Sequence, residues 1–394
     1  GTTVTGFTVT GGNGTDGGGV EVHGPGDLAL LDCSITDNVA RRGGGIFASG
    51  DVTLDLTGTT VDGNLAADGG GLYLAGGSAA GGTLTDNTAT SEYSYSDGGG
   101  GALLTGDVAL VGTAITGNHT FRADGGGLTV LGSATLTDVT ITDNDSAFNG
   151  GGLMVLGAEA TLLGTCVVSG NTADSSGGGA RLQPGSALTG GEFTANDARD
   201  GGGVSIWSAD LVGVNIHHNT ARFGGGVDVR YESEIRDTVI RENTASDDGG
   251  GLNVFWGLGG YEDGLTITGA TIVGNSADKG GGLNMEATEP WPISLVDTTL
   301  ADNTANRGAG AHLSVAAQLV VVRGAITGNV AAVVGGGVWT EVDVAAIDAQ
   351  HTDWGDLATD NAPDDVYTDQ VPYLGYGADA SFTCAAGSCT PPPE

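Results

Sequence analysis

Apolar and polar residues alternate along most of the chain in short segments that end at an asparagine. The position three residues before the Asn is always apolar, whereas its neighbours are mostly Thr, Ser, Asp, Gly or charged residues. These apolar positions are Ile35, Val61, Leu84, Ile115, Ile141, Val168, Phe193, Ile216, Ile240, Ile272, Leu300 and Ile326. An apolar row with a period of two residues is typical of a half-buried β-strand. Each segment is therefore predicted to be a strand with one face in a core.

A short polar loop is predicted after each Asn, a glycine run follows this loop, and apolar alternation resumes directly after the glycines. Gly43–Gly45 precede Ile46, for example, and a third short apolar segment comes next, as at 28–31 and 160–163. A helical repeat is excluded because no apolar stripe with a period of 3.6 residues survives and glycine interrupts every repeat. The pattern predicts three short strands in each repeat.

The repeat length predicts how these strands are arranged. Successive Asn residues are 23 to 32 residues apart, which is the length of one coil of a β-solenoid. Stacked coils pair each strand with its equivalents above and below, at a spacing of about 4.8 Å. We therefore predict an all-β fold, a single-stranded parallel β-helix of about 13 coils over residues 1–345. The general crossover rule favours the right-handed form.

The glycines and the Asn have a structural interpretation in such a coil. Glycine allows a tight corner with positive φ and a close approach of neighbouring backbones. Asn is expected either to adopt the left-handed conformation at the preceding corner or to stack as an amide ladder from coil to coil. A phosphate-binding loop would need one glycine-rich turn before a helix, usually with Lys, and the single lysine is Lys279.

The repeated motifs resemble those of a known family. The glycine run with its following apolar residue, together with "ITDN" at 35–38 and "FTAN" at 193–196, resembles the GGA(I/L/V) and FxxN repeats of the chlamydial polymorphic outer-membrane proteins. More broadly, the chain resembles bacterial surface right-handed parallel β-helix proteins over about residues 1–345. The resemblance implies an extracellular or cell-surface protein. The family includes adhesins and autotransporter passengers, while the wider β-helix class includes polysaccharide lyases and hydrolases.

Charge limits the classes of partner. The chain has 48 acidic and 12 basic residues and a formal net charge of −36. Such a surface repels nucleic acid and anionic lipid, so we expect no nucleic-acid partner. No apolar run of about 18 residues occurs, so we expect no membrane insertion by this segment. The chain begins at Gly1 without Met, which is typical of a processed or excised segment.

The last part of the sequence departs from the repeat. Residues 346–394 are predicted to form an acidic C-terminal cap followed by a tail that ends in prolines. Cys384 and Cys389 are close enough in sequence to close a small disulfide loop, which favours an oxidising compartment. Cys33 and Cys166 are five coils apart and are predicted to be buried free thiols.

Acidic residues are candidates for calcium binding. Aspartates recur before the glycines and before the Asn, and carboxylates on stacked coils could be bridged by Ca²⁺. The alternative is that Asp is a solvated turn residue. A denser candidate site lies in the tail and consists of Asp353, Asp356, Asp360, Asn361, Asp364 and Asp365.

Aromatic and basic residues concentrate between 205 and 291. Outward positions after the glycines and the adjoining turns supply Trp207, Asp228, Arg230, Tyr231, Asn253, Phe255, Trp256, Asn284 and Glu286. Aromatic rings beside Asp, Arg and Asn are what a sugar-binding surface needs, since rings stack and polar groups form bidentate hydrogen bonds. The alternative is a longer loop whose aromatic residues cover the helix.

Three functions are compatible with these features. We predict a non-catalytic structural or adhesive protein that presents loops and an aromatic face to glycans or cell-surface proteins. A polysaccharide lyase or hydrolase acting through the 205–291 face is the first alternative. Asp228 and Glu286 would lie roughly 10 Å apart, the wide limit for an inverting pair, and Arg230 could act as a base only with a greatly lowered pKa. A filament or sheath subunit stacking end to end is the second alternative.

Overall fold

The computed structural model describes residues 1–91, 98–256, 264–287, 291–314, 317–341, 346–355, 360–368, 373–375, 383–385 and 388–390. Within these residues every regular element is a β-strand. The chain forms a parallel β-solenoid of about 13 turns with three strands per turn, which belong to sheets A, B and C. The predicted all-β solenoid is thereby confirmed, while its handedness stays a prediction. Two compact units divide the chain, unit 1 (Gly1–Ala198) and unit 2 (Arg199–Glu394).

Unit 1 contains strands of all three sheets. Sheet B comprises the strands before the Asn, at Thr8–Thr10, Ser34–Thr36, Thr60–Asp62, Thr83–Thr85, Ala114–Thr116, Thr140–Thr142, Val167–Ser169 and Glu192–Thr194. Sheet C comprises Asn13–Asp16, Val39–Arg42, Leu65–Asp68, Thr88–Ala89, His119–Thr120, Asp145–Ser146 and Thr172–Ser176. Sheet A comprises Thr2–Thr5, Val20–His23, Gly26–Leu31, Ile46–Ser49, Val52–Asp55, Leu72–Ala80, Ala102–Val111, Leu128–Val130, Ala134–Thr137, Leu153–Val155, Glu159–Leu163, Ala180–Leu182 and Ala187–Thr189.

Unit 2 repeats the arrangement. Its sheet B strands are Asn215–His217, Val239–Arg241, Thr271–Val273, Thr299–Ala301 and Ala325–Thr327. Its sheet C strands are Thr220–Phe223, Thr244–Asp248, Ser276–Lys279, Thr304–Arg307 and Val330–Val334, and the division between the units falls within a further one, Asp197–Asp200. Sheet A comprises Val204–Trp207, Asp210–Val212, Val227–Arg230, Ser233–Arg236, Leu252–Trp256, Leu265–Thr268, Leu283–Ala287, Trp291–Val296, Ala311–Leu313, Ala317–Val322, Val338–Thr340, Ala346–Gln350, Val366–Thr368, Tyr373–Gly375, Thr383–Ala385 and Ser388–Thr390.

The apolar residues before the Asn form the core, as predicted. In unit 1, Ile35 pairs with Val61 and Val61 with Leu84 in parallel register. In unit 2, Ile240 pairs with Ile272 in the same way. All five side chains are fully buried. Burial of each such side chain stabilises the fold by about 1.5–3 kcal/mol.

The Asn residues form a buried amide ladder in each unit. Asn64 Nδ2 donates hydrogen bonds to Asn87 Oδ1 on the next turn (2.9 Å) and to the Ile35 carbonyl on the preceding turn (2.8 Å). Asn243 Nδ2 bonds Asn275 Oδ1 in the same way in unit 2. Of the two roles that the sequence left open for Asn, the ladder is the one observed. It satisfies amide groups that would be costly to bury unpaired.

The left-handed conformation falls on the residue before the Asn. From Asn38 to Asn171 this position alternates between Asp and Gly from turn to turn, with positive φ at Asp37, Gly63, Asp86, Gly117, Asp143 and Gly170, and in the last turn of unit 1 it is Ala195. Asp tolerates this conformation better than most residues, and Gly adopts it freely. A Cβ at Gly117 would lie 2.8 Å from Asp86 Oδ1, so the carboxylate occupies the space that the glycine leaves. These aspartates are therefore two turns apart and do not lie on successive coils.

Close packing between turns explains the glycine triplet. Gly43 has a φ of +60°, and a Cβ there would collide with the Ile46 carbonyl. A Cβ on Gly44 would collide with the Gly70 carbonyl of the next turn. A Cβ on Gly45 would lie 3.0 Å from the ladder amide of Asn64. Each glycine thus allows a different close approach, and the predicted structural role of the triplet is confirmed.

One part of the repeat differs from the expectation. The residues between the Asn and the glycines, which the sequence pattern indicates to be a short polar loop, form the strands of sheet C. The column before the glycines carries mixed charge there, since Asp16 pairs in register with Arg42 and Arg42 with Asp68. Arg42 binds the Asp16 carboxylate with two hydrogen bonds of 2.8 and 2.6 Å.

Parallel pairing continues beyond the predicted boundary at 345. Ile347 pairs with Leu319, and Val366 pairs with Val338. Near the C-terminus, Thr383–Ala385 and Ser388–Thr390 are antiparallel, and Cys384 lies directly opposite Cys389. The side chains of these two cysteines lie outside the described residues, so their disulfide stays a prediction.

Cys33 and Cys166 are both buried and free, as predicted. Burial raises the pKa of the Cys166 thiol, which keeps it in the unreactive protonated form.

Candidate ligand-binding cleft

Two columns of side chains project from the sheet A strands that follow the glycines in unit 2. The floor column, nearer the glycines, consists of Ser205, Asp228, Asn253 and Asn284 on four successive turns. The rim column, two residues further along each strand, consists of Trp207, Arg230, Phe255 and Glu286. Between them lie core residues such as Ile206 and Val229, both fully buried. The predicted alternation of core and non-core positions is confirmed.

The floor column is buried, although the sequence pattern predicts exposed positions. Ser205 and Asp228 expose none of their surface, Asn253 exposes 6% and Asn284 exposes 2%. The cause is the corner at the first glycine of each triplet. A Cβ on Gly201 would lie only 3.0 Å from the Ser205 Cβ, and Arg230 of sheet A binds Asp200 of sheet C across this corner. Side chains from the two sheets consequently cover each other.

The two sheets enclose a cleft of about 340 Å³ in unit 2. Its lining residues are Arg199, Asp200, Arg222, Phe223, Arg230, Asn253, Phe255 and Glu286. Four of these belong to the predicted aromatic face on sheet A. The other four come from sheet C, which the sequence interpretation did not recognise as part of a site. The volume is within the usual range for a small-molecule site.

A network of ion pairs fixes one wall of the cleft. Arg230 donates from Nε to Asp228 Oδ2 (3.0 Å) and from Nη2 to Asp200 Oδ2 (2.9 Å). Arg199 also donates to Asp200, at 3.3 and 2.9 Å. Burial by itself would lower the pKa of Arg230, but the carboxylates of Asp228 and Asp200 outweigh it and raise that pKa. The Arg230 guanidinium therefore stays charged and cannot act as a base.

The floor column is a directed chain of hydrogen bonds. Asn253 Nδ2 donates to Asp228 Oδ1 (2.9 Å), and Asn284 Nδ2 donates to Asn253 Oδ1 (2.8 Å). His312 Nδ1 donates to Asn284 Oδ1 at the start of the chain. Every donor points toward Asp228, so each bond polarises the next in the sense that favours the ionised carboxylate. Burial acts in the opposite direction and raises the pKa of Asp228.

The chain ends at a second cluster of charges. His312 Nε2 lies 3.3 Å from Glu341 Oε1, and Lys279 Nζ lies 3.3 Å from the same oxygen. The contact with His312, together with the charge of Lys279, lowers the pKa of Glu341 to about 2 against the effect of burial. The His312 ring stacks on Trp339 with the centroids 4.5 Å apart. This cluster anchors the far end of the floor column.

Each wall carries an arginine beside an aromatic ring. The Arg222 guanidinium lies 4.8 Å from the Phe223 ring centroid on sheet C. The Arg230 guanidinium lies 5.9 Å from the Phe255 ring centroid on sheet A. Phe255 is 42% exposed, which is unusual for a large apolar side chain. Exposed rings of this kind offer stacking surfaces to a ligand.

The remaining predicted residues lie around the cleft. Trp207 and Tyr231 stack with their ring centroids 5.6 Å apart, and Trp207 is 38% exposed. Trp207 is the rim neighbour of Arg230, but neither aromatic residue is part of the cleft lining. Trp256 ends the strand Leu252–Trp256, and its side chain lies outside the described residues. The role of these residues in ligand binding stays a prediction.

The geometry argues against the predicted carboxylate pair as a catalytic unit. Asp228 is fully buried beneath the cleft. Its Oδ2 accepts a hydrogen bond from Arg230, and its Oδ1 accepts one from Asn253. Glu286 is exposed in the cleft. A glycosidase needs two carboxyl groups that both reach the scissile bond, and Asp228 is out of reach. The arrangement can bind and orient a polar ligand.

The cleft residues on sheet C had a signal in the sequence. Residues 199–241 hold five of the 12 basic residues, namely Arg199, Arg222, Arg230, Arg236 and Arg241. In a chain with 48 acidic residues, such a concentration indicates a site. Assigning the segment before the glycines to a loop concealed that Arg199 and Arg222 face the same cleft as Arg230.

The tail aspartates have structural partners. Asn361 Oδ1 accepts from Asn329 and its Nδ2 donates to Asp365, so Asn361 extends the ladder. Burial, opposed by Asn361, raises the pKa of Asp365 to about 6, and the charges of Asp360 and Asp364 add to the effect. Asp353 Oδ1 accepts from the Gly355 amide.

A calcium site in the tail stays a prediction. Asp356 lies outside the described residues. Among the described residues, no three His, Cys, Asp or Glu side chains come together as a metal site would require.

The described residues also contain no helix with the length and apolar character needed to cross a bilayer. No family model, curated protein or solved structure matches the chain. The relation to the chlamydial repeat proteins accordingly stays an expectation drawn from the repeat motifs.

Proposed function

We propose that this protein is a non-catalytic β-helix scaffold, extracellular or on a bacterial cell surface, that contacts glycans through the cleft of unit 2. One observation carries the proposal. Aromatic rings from two sheets, Phe223 and Phe255, lie beside charged arginines and above a polar floor in a single cleft. Rings that stack on sugar faces and guanidinium groups that bind sugar oxygens are the two elements of saccharide recognition.

The preorganised floor supports binding. Arg230 is held by two buried carboxylates, and Asn253 is fixed by bonds to Asp228 and Asn284. Side chains that are already ordered lose little conformational entropy when a ligand arrives, which favours affinity. The regular solenoid provides the rigid support that a site of this kind needs.

A structural role without catalysis is supported by the position of Asp228. The acid that the enzymatic alternative requires is sealed below the cleft, and Arg230 has a raised pKa. Glu286 is then the one carboxylate of the predicted pair that a bound sugar could meet. Catalysis by general acid and base needs two titratable groups in reach of the same bond.

The proposal is tested by binding to a panel of neutral and acidic oligosaccharides, measured by calorimetry. We expect at least one class to bind, and Phe255→Ala to weaken that binding by about tenfold through loss of ring stacking. Phe121→Ala in unit 1 is the matched control, because Phe121 is 57% exposed and lies beside Arg122 in the same kind of pair.

Two results would contradict the proposal. One is the absence of binding across the panel, and the other is an equal loss in both variants. Chromatography of the incubated oligosaccharides should show no cleavage; cleavage that Glu286→Gln abolishes would favour the enzymatic alternative.

A further inference from the structure

Basic residues are scarce in this protein, yet the cleft collects them. Arg199, Arg222 and Arg230 are three of only 12 basic residues in a chain of net charge −36. Three guanidinium groups around a single cleft of about 340 Å³ are therefore a specific feature of this site.

Buried carboxylates balance two of these arginines, Arg199 and Arg230. Asp200 exposes 2% of its surface and Asp228 exposes none. Arg199 and Arg230 each direct Nε and Nη2 to these buried acids, and Arg222 binds Asp247 through Nε alone. Among the described residues, no partner is recorded for Nη1 of Arg199, Nη1 of Arg230 or either Nη of Arg222. The cleft therefore offers four guanidinium nitrogens as donors.

The opposite end of the cleft has an acceptor. Glu286 is exposed, is the rim neighbour of Phe255, and has no hydrogen bond or ion pair recorded with any described residue. A carboxylate accepts hydrogen bonds from hydroxyl groups and repels another carboxylate. The cleft is thus polar in a defined direction, with donors at the arginine end and an acceptor at the Glu286 end.

We propose that the cleft selects an acidic saccharide, with the carboxylate of a uronic acid unit at Arg199, Arg222 and Arg230 and sugar hydroxyls at Glu286. The inference rests on the proposed glycan-binding function. A planar carboxylate matches the guanidinium donors that the protein's own carboxylates leave unused, whereas a neutral sugar offers those donors no charge-assisted hydrogen bond. Phe255, between the two ends, stacks on the sugar ring.

The test compares three probes on the intact protein: a tetrasaccharide of alternating glucuronate and N-acetylglucosamine, its methyl ester, and a sulfated tetrasaccharide of the same length. The acid should bind at least tenfold more tightly than the ester, and its affinity should fall with salt. Tighter binding of the sulfated probe than of the acid would overturn the uronate assignment. An ester that binds as tightly as the acid would overturn the inference and leave the proposed function intact, whereas no binding of any oligosaccharide would contradict both.

Variants locate the effect. Arg222→Gln should weaken binding of the acidic tetrasaccharide by about fivefold and leave binding of its methyl ester unchanged. Arg323→Gln is the matched control, since Arg222 and Arg323 are 58% and 57% exposed and each pairs with an exposed aspartate. Glu286→Gln should strengthen binding of the acidic tetrasaccharide severalfold, because it removes a charge of the same sign as the ligand's carboxylate. Equal losses in Arg222→Gln and Arg323→Gln would mean that general charge, not the cleft, attracts the ligand, and would refute the inference.

Discussion

The corner between sheets C and A is filled differently in the two units. In unit 1 the column next to the glycines contains large apolar side chains, namely Phe47, Leu103 and Met154, which expose 3%, 1% and none of their surface and alternate with Tyr73, Thr129 and Arg181. In unit 2 the equivalent strand position holds polar side chains, among them Asp228 and Asn253, that satisfy one another. The same backbone thus supports a column that includes large apolar side chains in one unit and a hydrogen-bonded polar floor in the other.

Arginine takes part in both corners with a different result. In unit 1, Arg42 binds Asp16 and lies 4.9 Å from the Phe47 ring and 5.4 Å from the Tyr73 ring, so the cation covers the aromatic residues. In unit 2, Arg230 is held from below by buried carboxylates and lines an open cleft. The comparison teaches that the ladder and the glycines build the scaffold, while the residues that vary at the corner decide what it can bind.

The largest expected effect concerns what the two units share. Asn87→Ala in unit 1 and Asn243→Ala in unit 2 should each lower the free energy of unfolding by about 3 kcal/mol, because each leaves buried donors and acceptors unpaired. Both side chains are fully buried, and each donates to a carbonyl and to the next ladder amide. Urea unfolding measures the change.

Thr85→Ala is the control for the ladder variants. Thr85 lies on the outward side of the strand before Asn87, and its loss should cost no more than about 0.5 kcal/mol. A ladder variant that unfolds as the control does would show that the amides add nothing beyond the backbone pairing.

The next effect separates the two corners. Asp228→Asn should cost about 2–3 kcal/mol, because an amide nitrogen then faces Arg230 or Asn253 at a fully buried position where solvent cannot compensate. Asp16→Asn is the same change at a carboxylate whose side chain is 18% exposed to solvent, and it should cost about 1 kcal/mol or less. Comparable losses in the two variants would mean that the floor of the cleft is no more ordered than the corner of unit 1.

The solenoid could be predicted from the sequence because its signals are local and repeated. Each repeat carries the same three features, which are an apolar residue such as Ile35, an Asn three positions later and a glycine triplet. Because these features recur at similar spacing, one irregular repeat does not hide the pattern. A strand is recognised from its own alternation with a period of two residues, and it pairs with the equivalent strand one turn away. The sequence allowed two roles for Asn38 and Asn64, the left-handed corner and the amide ladder. The residue before each Asn adopts the left-handed conformation, so the Asn itself forms the ladder.

Sheet C escaped prediction because its strands have almost no period. Val39–Arg42 buries only Ala40 at the core, and one small inward residue cannot establish alternation. The burial of Asn253 could not be predicted from the sequence for another reason. Alternation shows that a side chain points away from the core, but only the angle at the glycine corner decides whether a neighbouring sheet covers it.

The smallest expected effect depends on pH and concerns Asp365 in unit 2. Burial raises its pKa to about 6 in the folded protein, above the ordinary value of 3.8. The folded state therefore holds the proton more tightly, so this group contributes stability that is fully present below pH 3.8 and is lost as the pH rises through 6. Asp365→Asn removes the buried charge and keeps an oxygen for Asn361. We expect it to stabilise the protein by about 1 kcal/mol at pH 7.5, less than the full shift implies because Asp365 retains solvent contact, and to change nothing at pH 3.5. Urea unfolding at the two pH values decides the matter; a gain at pH 3.5 equal to that at pH 7.5 would mean that packing, not charge, separates the variant from the natural residue.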